Sequence, residues 1–149
     1  MKPTLTWKGD LCANAPDGWA VETVALADGG YGGMAYLIGS HVGEHHTGSH
    51  PTAEAAQLAC EAALWRLGGM PLPKWHRVHD AWRLDACNEA WANVTYDDGW
   101  EWSVYVLGEY GTATAKGTNC EGYCDDADTA KRTAEAHLRA AIALVLEAE

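Results

Sequence analysis

The sequence predicts an α+β fold. It reads as a tandem repeat of two β-β-β-α units, with antiparallel sheet or sheets and an Ala-rich helix packed on each. Three observations lead there. Asp97-Asp98-Gly99-Trp100 reads as a tight turn opening a strand that runs to Gly108, and Asp28-Gly29-Gly30-Tyr31 opens a fainter copy that runs to Gly39. A shift of 69 carries Tyr31 onto Trp100, Tyr36 onto Tyr105 and Gly39 onto Gly108. In both halves a polar loop and an Ala-rich helix follow, and a shift of 74 carries Thr52 onto Asp126, Ala53 onto Ala127, Glu61 onto Glu135 and Leu64 onto Leu138. A match of spacing at the helix start, with five extra residues before it, is the pattern a copied module leaves. The expected division is 1–69, a linker at 70–74, and 75–149, the two repeats packing as one globular unit.

The elements follow in order. Leu5–Lys8 is a short strand candidate ending at Gly9-Asp10. Asn14-Ala15-Pro16-Asp17-Gly18 is a turn, because Pro presets φ and Gly accepts the positive φ that closes it. Trp19–Leu26 alternates as a strand, Ala27-Asp28-Gly29-Gly30 is a hairpin signal, and Tyr31–Ile38 is a strand weakened by Gly. His41–Pro51 is a polar loop or a ragged third strand. Thr52 caps a helix over Ala53–Leu67 whose apolar stripe is Ala53, Ala56, Cys60, Ala63, Leu64 and Leu67. Gly68-Gly69 ends it, and Pro71 and Pro73 forbid continuation.

The pattern restarts at Trp75–Val78. Trp91-Ala92 matches Trp19-Ala20, and the second helix is expected from Ala127 to about Glu147. On the strand after the Asp97 turn, Trp100, Trp102, Val104 and Val106 share one face, expected to meet the helix. Glu101, Ser103, Tyr105 and Leu107 share the other.

Composition narrows the function. The chain of 149 residues has 48% hydrophobic residues, enough for a core. Eight Trp and six Tyr, with no Phe, exceed what one small core needs, which places some of them on a binding surface. The net charge of −11 argues against direct nucleic-acid binding and against an anionic membrane surface. Residues 1–75 carry seven carboxylates against four Lys/Arg, and residues 76–149 fourteen against six, so the second half is the acidic one. Its acids gather at Asp97, Asp98 and Glu101 and again at Glu121, Asp125, Asp126 and Asp128. Such a surface either solubilises the protein or steers a basic partner to it.

The five Cys are an odd number, Met1-Lys2-Pro3-Thr4 opens no apolar leader, and the longest apolar run, Ala140–Leu146, is too short to span a bilayer. The expectation is a cytoplasmic protein with reduced thiols. Cys60 lies on the helix stripe as packing, and Cys120 and Cys124, with three residues between them, read as inert thiols or a loop clasp.

Two clusters suggest chemistry. His41, Glu44, His45, His46 and His50 carry metal-binding groups, at a spacing that matches no established site. His76, His79 and Asp80 suggest a base and its orienter, without a nucleophile motif or a phosphate loop. His137 falls on the helix stripe, where a satisfied core His is the default.

Three motifs, Asp28-Gly29-Gly30-Tyr31, Thr47-Gly48-Ser49 and Glu54-Ala55, make the first copy resemble the HicB-type antitoxin unit over about fifty residues. The family's Pro-Asp-Leu-Pro-Gly segment is replaced by Leu37-Ile38-Gly39-Ser40-His41. The resemblance implies a β-β-β-α fold and a protein that works by covering another protein.

The expected function is a non-catalytic acidic binding protein that inhibits a protein partner by occluding a basic surface, of the phage or mobile-element type. Anti-CRISPR proteins and other DNA-mimic inhibitors share its acidic composition. The expected contacts are Asp97, Asp98, Glu101, Asp125, Asp126 and Asp128, with Trp100 and Tyr123 as anchors. No cofactor is expected. The alternatives are a metal-dependent or thiol enzyme using the His41–His50 loop or the Cys pair, and a structural or assembly protein.

Overall fold

The computed structural model describes residues 4–39, 45–87, 89–108, 111–117 and 126–148; at 45, 107, 108, 111–117 and 148 it describes the backbone alone. It is an α+β protein with two antiparallel sheets and two helices. Two compact units divide the chain, Met1–Pro71 with Ala143–Glu149, and Leu72–Ile142.

In the first unit the strands are β1 (Trp7–Lys8), β2 (Leu11–Cys12), β3 (Trp19–Ala25), β4 (Tyr31–Leu37) and β5 (His45–His46), paired in chain order. The turn between β3 and β4 closes at Gly29, where φ is +87°, and the Asp28 carboxylate accepts from the Gly30 N–H at 2.9 Å. Helix α1 (Ala53–Leu67) follows. Thr52 caps it by accepting from the Ala55 N–H at 3.1 Å, and Gly68 ends it in the left-handed conformation at φ +80°.

Small residues let α1 lie close on β3 and β4. At Gly33 the approach is so tight that a Cβ would stand 2.4 Å from Cys60 Sγ and 3.3 Å from the Ala56 carbonyl oxygen. Cys60, Ala56, Ala63 and Leu64 of the expected stripe are buried. Leu67 is 42% exposed, whereas Glu61 and Trp65, outside the stripe, are 0% and 2% exposed. The helix is therefore buried around more of its circumference than one stripe accounts for.

Glu61 is tolerated because its carboxylate is surrounded by donors. Oε1 accepts from the Thr4 N–H, from the Thr4 hydroxyl at 2.7 Å and from the Leu5 N–H at 3.0 Å, while Oε2 accepts from the Trp7 indole N–H at 3.2 Å.

In the second unit the strands are β6 (His76–Val78), β7 (Ala81–Cys87), β8 (Ala90–Tyr96), β9 (Trp100–Gly108) and β10 (Gly111–Gly117), again paired in chain order. Helix α2 (Ala127–Ala148) follows. Leu84, Ala90, Ala92, Val94, Trp102, Val104 and Val106 are buried on one face of this sheet. On α2, Ala130, Ala134, Leu138 and Ile142 are buried at steps of four. The helix meets the sheet through His137 stacked on Trp102 at 4.4 Å, Lys131 over the Trp82 ring at 3.5 Å, and the Trp75 indole N–H donating to Glu135 at 2.7 Å. His137 is thus an exposed side chain laid on a buried Trp, not the core histidine expected, because Leu138 takes the inward position beside it.

The expectation of three strands per unit falls short of the five in each sheet. Strand β2 is two residues long, and β10 alternates Thr and Ala, too weak a contrast to stand out. Strand β7 does carry a legible alternation, with Trp82, Leu84 and Ala86 against Arg83 and Asp85.

Candidate partner-binding surface

The Asp97 turn is the hairpin tip between β8 and β9. Tyr96 pairs with Trp100, so three residues make the connection, and the Asp97 N–H donates to the Gly99 carbonyl at 2.9 Å. Asp98 has φ +61° and Gly99 φ +144°. Asp is among the few residues besides Gly that enter the left-handed region readily, which explains its place here. Asp97 and Asp98 are exposed. Their flanking rings, Tyr96 and Trp100, meet edge to face at 5.2 Å, and Tyr96 is 65% exposed. Trp100 is half-buried at the end of the sheet, where it pairs with Tyr96. Glu101 follows on the opposite face, opposite Thr95.

Asp126 and Asp128 hold a second place, the start of α2. Asp126 Oδ1 accepts from the Thr129 N–H at 2.7 Å, an N-cap bond that holds this carboxyl below its usual range. Asp126 is therefore engaged in capping the start of the helix, while Asp128 is exposed in the first turn, where the helix dipole favours negative charge. Tyr123 and Asp125, like Cys120 and Cys124, lie outside the described residues.

The sequence reading misses Tyr96. A signal existed: an aromatic four residues before Trp100, across a three-residue Asp-Asp-Gly turn, must face it in a hairpin. It also misses a ladder on the outer face of the second sheet. Trp91 stacks on Tyr105 at 5.6 Å, Arg83 lies over Trp91 at 5.2 Å, and Arg83 Nε is 2.9 Å from Asp85 Oδ1.

The histidine loop is only partly described. His41 and Glu44 lie outside the described residues, and His45 contributes backbone to β5. His46 pairs with Met34 and is exposed. His50 bridges to Tyr31, and its Nε2 lies 3.0 Å from the Thr47 carbonyl oxygen. Among the described residues no three His, Cys, Asp or Glu side chains are grouped to hold a metal. His76 is 3.8 Å from Asp85, both exposed, and His79 has φ +55° in the turn to β7. Cys60 donates to the Glu22 carbonyl at 3.7 Å, and burial pushes its thiol up to about 12, so it is protonated packing and not a nucleophile. No helix among the described residues is long and apolar enough to cross a membrane.

No family model, curated protein or solved structure matches the chain.

Proposed function

We propose that the protein is a non-catalytic binding protein that inhibits a protein partner by covering a basic surface. The observation that carries this reading is the β8–β9 tip, where two exposed carboxylates stand between an exposed Tyr and a half-buried Trp. Aromatic anchors beside charges are the composition of interface hot spots. The net charge of −11 adds a long-range field that speeds encounter with a cationic surface. Trp100 and Tyr96 are the apolar anchors of this contact, and Asp128, exposed in the first turn of α2, is a second acidic position of the proposed contact. This is the working mode of antitoxin-like and DNA-mimic inhibitors of phage and mobile elements, the class to which we assign the chain.

The proposal includes an origin by duplication of one β-β-β-α module. Its support is a pair of matching hydrogen bonds at the shared helix spacing, Trp7 to Glu61 and Trp75 to Glu135. Each helix also follows an antiparallel sheet whose strands pair in chain order.

The test is affinity capture from the native host with the wild-type chain and with an Asp97→Lys, Asp98→Asn, Asp128→Lys variant. Asn is used at 98 because it keeps the left-handed backbone. The expected result is a stoichiometric basic protein whose affinity falls at least about tenfold in the variant, with a flatter salt dependence. Equal affinity and equal salt dependence in the two chains would reject the proposal.

A further inference from the structure

The face of the first sheet turned away from α1 is open. Val21, Thr23, Gly33 and Ala35 are buried on the helix side, so the alternate residues, Glu22 and Val24 on β3 and Gly32 and Met34 on β4, belong to the other face. There Leu11 is 61% and Val24 55% exposed. Register sets Lys8, Leu11, Glu22, Met34 and His46 in one cross-strand row and Val24 with Gly32 in the next. Gly32 brings no side chain to that second row, and a groove of about 410 Å³ opens beside it. Val24, Leu26 and Met34 give the groove apolar walls, Gly32 and Gly48 contribute backbone alone, and Glu22 brings a carboxylate. Ser49 and His46 complete the polar part of the lining, which holds no Lys or Arg.

Size and lining are those of a small-molecule site. Such sites span about 300–1,000 Å³, are mostly apolar, and carry a few polar groups that fix the ligand's orientation. Glu22 is the group that selects. Its neighbours on this face are Ala20 and Val24 along the strand and Leu11 and Met34 across it, all apolar. Among the described residues its half-buried carboxylate makes no ion pair and accepts no hydrogen bond. Lys8 and His46 stand at the two ends of the row, each separated from Glu22 by an apolar side chain. An apolar body settling in the groove strips water from this carboxylate, a cost that an accompanying cation offsets. Asp28 adds a field of the same sign, since the Ser49 hydroxyl in the lining donates to its Oδ2 at 3.3 Å.

We infer that this groove binds a small organic cation, an apolar body carrying one ammonium group, with the body against Val24, Leu26 and Met34 and the ammonium at Glu22. Met34, unbranched and polarizable, adapts to the shape of the body. The site uses no residue of the β8–β9 tip, so it holds or fails independently of the occlusion reading.

The test is an NMR titration of the whole protein with phenethylammonium. Phenethyl alcohol has the same body without the charge, hydrocinnamate reverses the charge, and methylammonium keeps the charge without the body. Phenethylammonium is expected to shift the backbone resonances of Val24, Gly32, Met34 and Gly48 and to bind at least about fivefold more tightly than the alcohol, with hydrocinnamate weakest. Glu22→Gln, isosteric and on the open face, is expected to bring amine and alcohol to equal affinity. Equal affinity of amine and alcohol for the wild-type chain, an equal response to methylammonium, or no response at the groove up to about 20 mM probe overturns the site. A preference for the amine that survives Glu22→Gln undiminished overturns it as well. Should the glutamine variant fail to fold, the contrast between amine and alcohol on the wild-type resonances decides alone.

Discussion

Glu61 shows how much one side chain organises. It is fully buried and receives four hydrogen bonds from Thr4, Leu5 and Trp7, residues far from it in the chain. Glu61→Ala leaves those donors without their acceptor, so a loss of about 3 kcal/mol is expected in urea unfolding. Asp126 acts at the other helix start through its cap bond to Thr129. Its carboxyl is held below the usual value, so its contribution is present above the unfolded-state value near 3.8 and is lost as pH falls through the lower folded value. Asp126→Ala should therefore lower the melting temperature more at pH 7 than at pH 2. Asp126→Asn should recover most of the cap with less acid dependence, and equal effects of Ala at both pH values would contradict the capping role.

At the scale of elements, the closeness of α1 to β4 is set by a glycine and a thiol. Gly33→Ala places a Cβ against Cys60 Sγ and is expected to cost about 2 kcal/mol. Cys60→Ala removes the obstacle, so the double variant should show a coupling of about 1 kcal/mol in a mutant cycle, and strict additivity would place the strain elsewhere. The same thiol ties stability to alkaline pH. Its folded value is about 12 against 9.0 ordinarily, so the unfolded chain ionises first and stability falls above pH 9; Cys60→Ala should flatten that slope. The two Trp–Glu bonds offer a comparison between units. Trp7→Phe and Trp75→Phe keep the ring and lose the N–H, and each is expected to cost about 1–2 kcal/mol by denaturant titration. A negligible effect of one of them would weaken the duplication proposal.

For the whole molecule the governing quantity is a net charge of −11. Association with a basic partner should slow steeply as salt rises, because screening shortens the field to about 8 Å at physiological ionic strength. Stopped-flow association rates at several salt concentrations check this. The Asp97→Lys, Asp98→Asn, Asp128→Lys variant should associate at least about tenfold more slowly at low salt and converge on the wild type at high salt. A salt-independent rate would reduce the acidic surface to a solubilising role.

Legibility divides by range along the chain. The limits of α1, the β3–β4 turn and the Asp97 turn could be read from the residues themselves, because caps and turns are decided by contacts a few residues apart: Thr52 with Ala55, Asp28 with Gly30, Asp97 with Gly99. Asp97 and Asp98 were legible as exposed acids for the same reason. The sequence by itself thus determined an α+β protein with antiparallel strands and two capped helices. Only the tertiary structure decided that Glu61 is interior, that Tyr96 joins Trp100, that Trp91 and Tyr105 form a ladder, and that Glu22, Gly32 and Met34 line one groove. Each of these depends on strand register or on a helix meeting distant backbone. Such contacts become favourable only when many distant segments are ordered together, so no local run of residues encodes them.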